Sequence, residues 1–167
     1  TARRLLAGFA SPQAIFQDSR AELREFVSAE QADRLANPPD GFDAMLARTG
    51  NWLAGAEDNS PRGLVCLGDA DYPRSLLQTA DPPLLLYVQG QAGLLNTSAV
   101  AIVGSRRPTP QGLENARHFA EQLGRLGLTI VSGLATGIDG AAHEAALHAG
   151  ASSIAVVCTI WLAAALA

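Results

Sequence analysis

The chain has 167 residues, 48% hydrophobic and 17% charged, which is enough apolar material for one ordinary domain or two small ones and excludes a disordered chain. Its net charge is −4, so no global basic field marks it as a general nucleic-acid binder. Two cysteines, Cys66 and Cys158, stand far apart without a CxxC spacing, which excludes a zinc motif and a disulfide framework and suits a reducing cytoplasm.

The chain begins at Thr1 with no secretory pattern and reads as a fragment or trimmed product. Residues 1–60 read as a small, partial helical domain. In "ARRLLAGF", Leu5, Leu6 and Phe9 share one helical face. "SPQAIF" starts a new helix, with Ser11 as N-cap and Pro12 at the first helical position. "SAEQADRLA" carries a capping-box pattern, Ser28 with Gln31 three residues on. "FDAMLARTG" is a short helix closed by Gly50. Residues 61–97 hold two strand patterns, "GLVCLG" and "LLLYVQG", around a short helix, and read as an extension packed on the next domain.

Residues 98–167 form the third region. "AVAIVG" is a continuous apolar strand of the kind found in a parallel sheet covered on both faces. Thr109-Pro110 starts a helix in which Leu113, Ala116, Phe119, Ala120, Leu123 and Leu126 recur at helical spacing up to Gly127. "LTIVSG", the helix "IDGAAHEAALHAG" and "SIAVV" complete a βαβαβ unit. The fold class is therefore α/β, a Rossmann-like parallel sheet preceded by a small helical domain. Residues 154–167 carry no charge, but as a helix they span roughly 21 Å, short of the ~30 Å hydrocarbon core.

Ligands of open parallel sheets bind outside the carboxyl ends of the strands. Two small-residue loops lie there: Gly104, Ser105, Arg106 and Arg107, and residues 132–137 with Ser132, Gly133, Ala135 and Gly137. Each feeds a helix N-terminus, where backbone N–H groups favour an anion, and an arginine fork grips phosphate with two hydrogen bonds. All twelve basic residues are arginine, so a cationic phosphate contact here is an arginine contact. A glycine after a strand also serves as a plain turn, and neither loop matches G-x-G-x-x-G or G-x-x-x-x-G-K-[ST]. The pattern alone leaves turn and phosphate cradle equally open. Arg106, nearer the strand end, is the better candidate; Arg107 reads more readily as a surface charge. Asp139 reads as N-cap of the second helix. His143, one turn on, shares its face, and the pair suits a buried structural hydrogen bond better than acid–base work. Ser105 and Ser132 lack a nucleophile elbow, and Trp52, Tyr72 and Tyr87 lie outside the loops, so neither a catalytic residue nor a base-stacking platform is visible.

"DADYPRSLLQTADPPLLLYVQG", "VAIVGSRRPTPQG" and "IVSGLATGIDGAAHEAAL" together resemble the DNA-processing protein A (DprA/Smf) family, from about Leu64 to Val157. The helical start resembles the second half of that family's helix-hairpin-helix or SAM-like domain. The resemblance implies a bacterial, cytoplasmic protein that is not an enzyme and uses no cofactor or metal. It implies binding of single-stranded DNA during natural transformation, loading of the RecA recombinase on it, and a homodimer formed through the Rossmann-like domain. It implies that Arg106 meets DNA phosphate, with residues 132–139 beside it and Asp139 and His143 supporting the pocket.

The sequence also departs from the family. From Cys158 onward, "CTIW" and an apolar tail stand where a G-x-G-[LV]-D loop follows the third strand, and Gln111 stands where tyrosine is common. On this reading the rest of the sheet and the dimer surface are missing, which leaves a sheet edge and apolar faces uncovered. Two other readings stand beside DNA binding: a nucleotide-binding sensor or nucleotide-hydrolysing enzyme of a related Rossmann-like family, and a truncated product without function.

Overall fold

The computed structural model describes residues 2–9, 11–17 and 19–157. The apolar tail from Cys158 lies outside them. The described residues fall into two compact units, one within Thr1–Leu64 and Leu84–Gly90, the other within Val65–Pro83 and Gln91–Ala167. Residues 61–97 thus contribute to both.

The first unit opens with four short helices, α1 (Ala2–Gly8), α2 (Pro12–Gln17), α3 (Arg20–Phe26) and α4 (Ala29–Ala36). Local chemistry sets their starts. Ser11 Oγ accepts from Ala14 N–H at 3.2 Å ahead of Pro12. Ser28 and Gln31 close the expected capping box, and Ser19 with Glu22 makes a second one that the apolar pattern had not announced. Leu5, Ile15, Leu23, Val27 and Ala32 form the core of this bundle, with the Phe9 and Phe26 rings 5.2 Å apart beside them.

Helix α5 (Phe42–Ala54) runs through Gly50 and is capped at Gly55, five residues later than its glycine suggested. Gly50 has nothing near its missing side chain, so it costs the helix only local propensity. The turn beyond it is anchored by packing: Trp52 meets the Tyr87 ring edge-on at 5.5 Å, and Arg62 lies over the indole while donating to the Trp52 carbonyl at 2.9 Å. Arg62 and Tyr87 belong to β1 (Arg62–Cys66) and β2 (Leu85–Gln89), which form a two-stranded sheet.

The second unit contains the short helix α6 (Arg74–Leu77) and a three-stranded parallel sheet of β3 (Ala99–Ala101), β4 (Thr129–Ser132) and β5 (Ser153–Ala155), in the order β3-β4-β5. Helices α7 (Pro110–Arg125) and α8 (Ile138–His148) make the crossovers. This is the βαβαβ unit expected from the alternation of apolar runs and helical periods. Thr109 caps α7 through a 3.1 Å bond from Gly112 N–H, ahead of Pro110.

Both helices pack on each other and on β4. Ala120, Ile130, Ala142 and Ala146 are buried between them, with Val100 and Ile102 alongside. Alternation along a strand sends Ala101, Val103 and Val156 to the opposite face. There Val103 is 71% and Val156 59% exposed. Among the described residues, helices cover one face of the sheet, not the two that its apolar strands suggested.

Candidate nucleic-acid interface

Both glycine loops lie in the second unit, at the carboxyl ends of neighbouring strands. Past β3, Ile102 N–H still bonds Val131 O at 3.0 Å, and then the chain leaves the ladder. Gly104 sits where a Cβ would lie 2.7 Å from Ile138 Cγ1. Only a residue without a side chain lets the first loop seat so closely on the start of α8. The joint is sealed by a hydrogen bond from Ile138 N–H to Ser105 O, 3.2 Å. Arg107 N–H donates to Ser105 Oγ at 3.0 Å and turns the chain toward α7.

The second loop leaves β4 with Ser132, whose buried hydroxyl donates to Ile102 O at 2.6 Å. That side chain ties two strand ends together inside the sheet. Leu134 takes φ +58° and is 60% exposed. Ala135 O receives Gly140 N–H at 3.0 Å. Gly137 is the N-cap of α8, with φ +88° and ψ −127°, and its Cα packs on the backbone of Ser105 and Arg106.

Asp139 is therefore not the N-cap; it is the second residue of α8. Gly137 alone tolerates the backbone geometry that starts the helix, which carries Asp139 inward. The carboxylate is buried, 7% exposed, and Oδ1 accepts from Gly104 N–H at 3.4 Å. Oδ2 lies 3.0 Å from where a Cβ on Gly133 would be. One carboxylate thus touches both loops. The sequence contains Asp139 in plain view, but the contact joins residues 35 positions apart, and no local pattern announces it.

His143 follows one turn later and is also buried. Ser153 Oγ gives its single proton to Ile130 O at 3.1 Å, so at 2.7 Å from His143 it accepts from Nδ1–H. Nε2 is buried with no partner among the described residues, so a proton placed there would have no acceptor. Burial pushes the His143 pKa down, and the Asp139 charge opposes this more weakly. The sign follows: a histidine whose folded pKa lies below its unfolded value contributes full stability above about pH 6.5 and loses it as pH falls through that value. The urea midpoint should drop between about pH 7.5 and about pH 5, and His143→Gln should flatten the drop. An equally steep drop in the variant assigns the effect to other groups.

Arg106 and Arg107 are both exposed, and neither makes an ion pair or a side-chain hydrogen bond with a described residue. Two unengaged guanidinium groups thus stand on a rim between the start of α7 and the joint with α8. Among the described residues, no group of three His, Cys, Asp or Glu side chains is placed to hold a metal, and no helix is long and apolar enough to cross a membrane.

A parallel three-stranded sheet with helical crossovers, and with glycine loops and exposed arginines at its carboxyl edge, belongs to the Rossmann-like class of α/β folds. Comparison with known proteins narrows the class: the family model described as DNA recombination-mediator protein A matches residues 63–161. The chain belongs to this DprA/Smf family. It is 48% identical over 133 residues to protein Smf of Escherichia coli strain K12, covering 78% of this chain and 33% of that one. It is 38% identical over 94 residues to DNA processing protein DprA of Bacillus subtilis strain 168, covering 56% and 32%. The X-ray structure of DprA from Streptococcus pneumoniae superposes with a TM-score of 0.57 at 31% identity, covering 83% of this chain and 50% of that one. The chain spans about a third of the length of the curated relatives it matches.

Proposed function

We propose that this chain binds single-stranded DNA through its phosphates and acts with the RecA recombinase on incoming strands, as a cytoplasmic protein without catalytic activity of its own. The observation that carries this reading is the pair of unengaged arginines, Arg106 and Arg107, on the rim of two interlocked glycine loops. Arg106 is assigned the main phosphate contact. Backbone groups at Gly104, Ser105, Gly133, Ala135 and Gly137 shape the surface beneath it, with Arg107 as a second charge. Asp139 and His143 support that surface from below. Membership of a DNA-processing family supports the choice of a nucleic acid over other polyanions.

The test is fluorescence anisotropy with a labelled single-stranded oligonucleotide across a salt series. Binding should weaken steeply with salt, because each phosphate contact releases counterions. Arg106→Ala should lower affinity about tenfold and reduce the salt slope by about 1. Arg107→Ala should do less. If Arg106→Ala binds like the unaltered chain at every salt concentration, the assignment is wrong.

A further inference from the structure

We propose that the buried Asp139 carboxylate is a specificity-determining group: it occupies the anion crevice between the two loops, so the site takes a phosphodiester backbone on its outer arginine rim and shuts out small phosphate monoesters. The inference deepens the reading above and rests on it, since it assumes that these loops are where phosphate is held.

In a parallel α/β sheet the crevice at the strand ends receives a phosphate because backbone N–H groups point into it from a loop and a helix start. Here three of those donors, one from the first loop and two from the start of α8, are engaged within the chain. Gly104 N–H is directed at Asp139 Oδ1, Ile138 N–H at Ser105 O and Gly140 N–H at Ala135 O. The space above Gly133, which a glycine ordinarily leaves for a ligand, is bordered by Asp139 Oδ2. A negative charge also already sits in the first turn of α8, where it satisfies the positive end of the helix dipole. A second anion brought to that spot would meet a like charge at close range, which disfavours it by a factor of at least about ten. The chain has in effect supplied its own anion.

The arginines are placed differently. Their backbones flank the joint, but their side chains are exposed and unengaged, so they reach a phosphate that stays outside the crevice. A strand laid along the rim offers such phosphates, each singly charged. A mononucleotide presents a terminal dianion whose natural seat is the crevice, and that seat is taken. The arrangement therefore favours a DNA-binding surface over a nucleotide sensor.

The experiment follows the backbone amide resonances of Gly104 and Gly133 in the 167-residue chain. Inorganic phosphate and 2′-deoxyadenosine 5′-monophosphate are added separately to millimolar concentration. In the unaltered chain neither amide should move. Asp139→Asn keeps a carbonyl acceptor for Gly104 N–H and removes the charge. It should bind inorganic phosphate at those amides at least about tenfold more tightly. A saturable shift of Gly104 in the unaltered chain overturns the proposal. So does an Asp139→Asn protein with a native spectrum and no gain. If that variant does not fold, the unaltered chain decides: displacement of a bound oligonucleotide by the mononucleotide overturns the proposal, and its absence upholds it. Failure of the DNA-binding reading looks different. It appears as an oligonucleotide titration indifferent to Arg106→Ala, whatever the phosphate result.

Discussion

Gly137→Ala should destabilise the second unit by about 3 kcal/mol or more and abolish detectable oligonucleotide binding. Two penalties add. The first is conformational: φ +88° with ψ −127° lies in a region that only glycine enters freely, and forcing an L-residue into it costs about 1–3 kcal/mol. The second is steric. A Cβ there would run into the Ser105 carbonyl oxygen and lie 2.9 Å from Arg106 Cα. Both neighbours are backbone, so no flexible side chain can move aside, and overpacking of this kind costs about 1–3 kcal/mol more.

Relief would require the two loops to part, which breaks the bond from Ile138 N–H to Ser105 O and moves Arg106 off the rim. Stability and binding should therefore fall together, read as the urea midpoint and the anisotropy titration. Gly41→Ala is the control. Gly41 also has a positive φ, +80°, but nothing lies within 4 Å of its missing side chain. It should cost only about 1 kcal/mol and leave binding intact. Equal effects at both glycines would mean that the loop joint carries no weight.

Ile130→Ala should cost about 3–4 kcal/mol. Ile130 is fully buried on the central strand, paired with Val100 on one side and Ser153 on the other. The residues that share its core are Ala120, Ala142 and Ala146, small side chains that let α7 and α8 approach the sheet. The fully buried helix neighbours are alanines, which cannot reach into the space that a lost isoleucine leaves, so most of the cavity persists beside Leu123, Val100 and Ile102. Against a typical domain stability of 5–15 kcal/mol this is a large share. Ile130→Val removes one methyl and should cost about 1 kcal/mol. A difference between the two variants below about 1 kcal/mol in urea unfolding would show that the helices do not close on this residue.

Much of this architecture is legible in the chain itself because it depends on short-range physics. Apolar runs of four to six residues marked the three parallel strands. The period of α7, its Thr109-Pro110 start and its glycine stop were readable for the same reason. The capping box at Ser28 is likewise a three-residue matter. The positions of the two loops followed from where strands end.

What could not be read shares one cause: it depends on contacts between residues distant in sequence. Gly50 looked like a helix stop, but packing of Trp52 against Tyr87 and Arg62 carries α5 past it. Strands apolar enough for burial on both faces have both helices on one. Ser132 looked available for a ligand, and its proton goes to Ile102 O instead. Asp139 looked like a cap because aspartate before a helix usually is one. Gly137 starts the helix two residues earlier, so the carboxylate turns inward to Gly104 and Gly133.

The residues thus carried the α/β class, the family and the positions of the two loops, because periodicity, capping and motif spacing act within a few positions along the chain. Which donors remain open to a ligand was settled only by folding, because a hydrogen bond across 35 positions exists once two strand ends and a helix start have met.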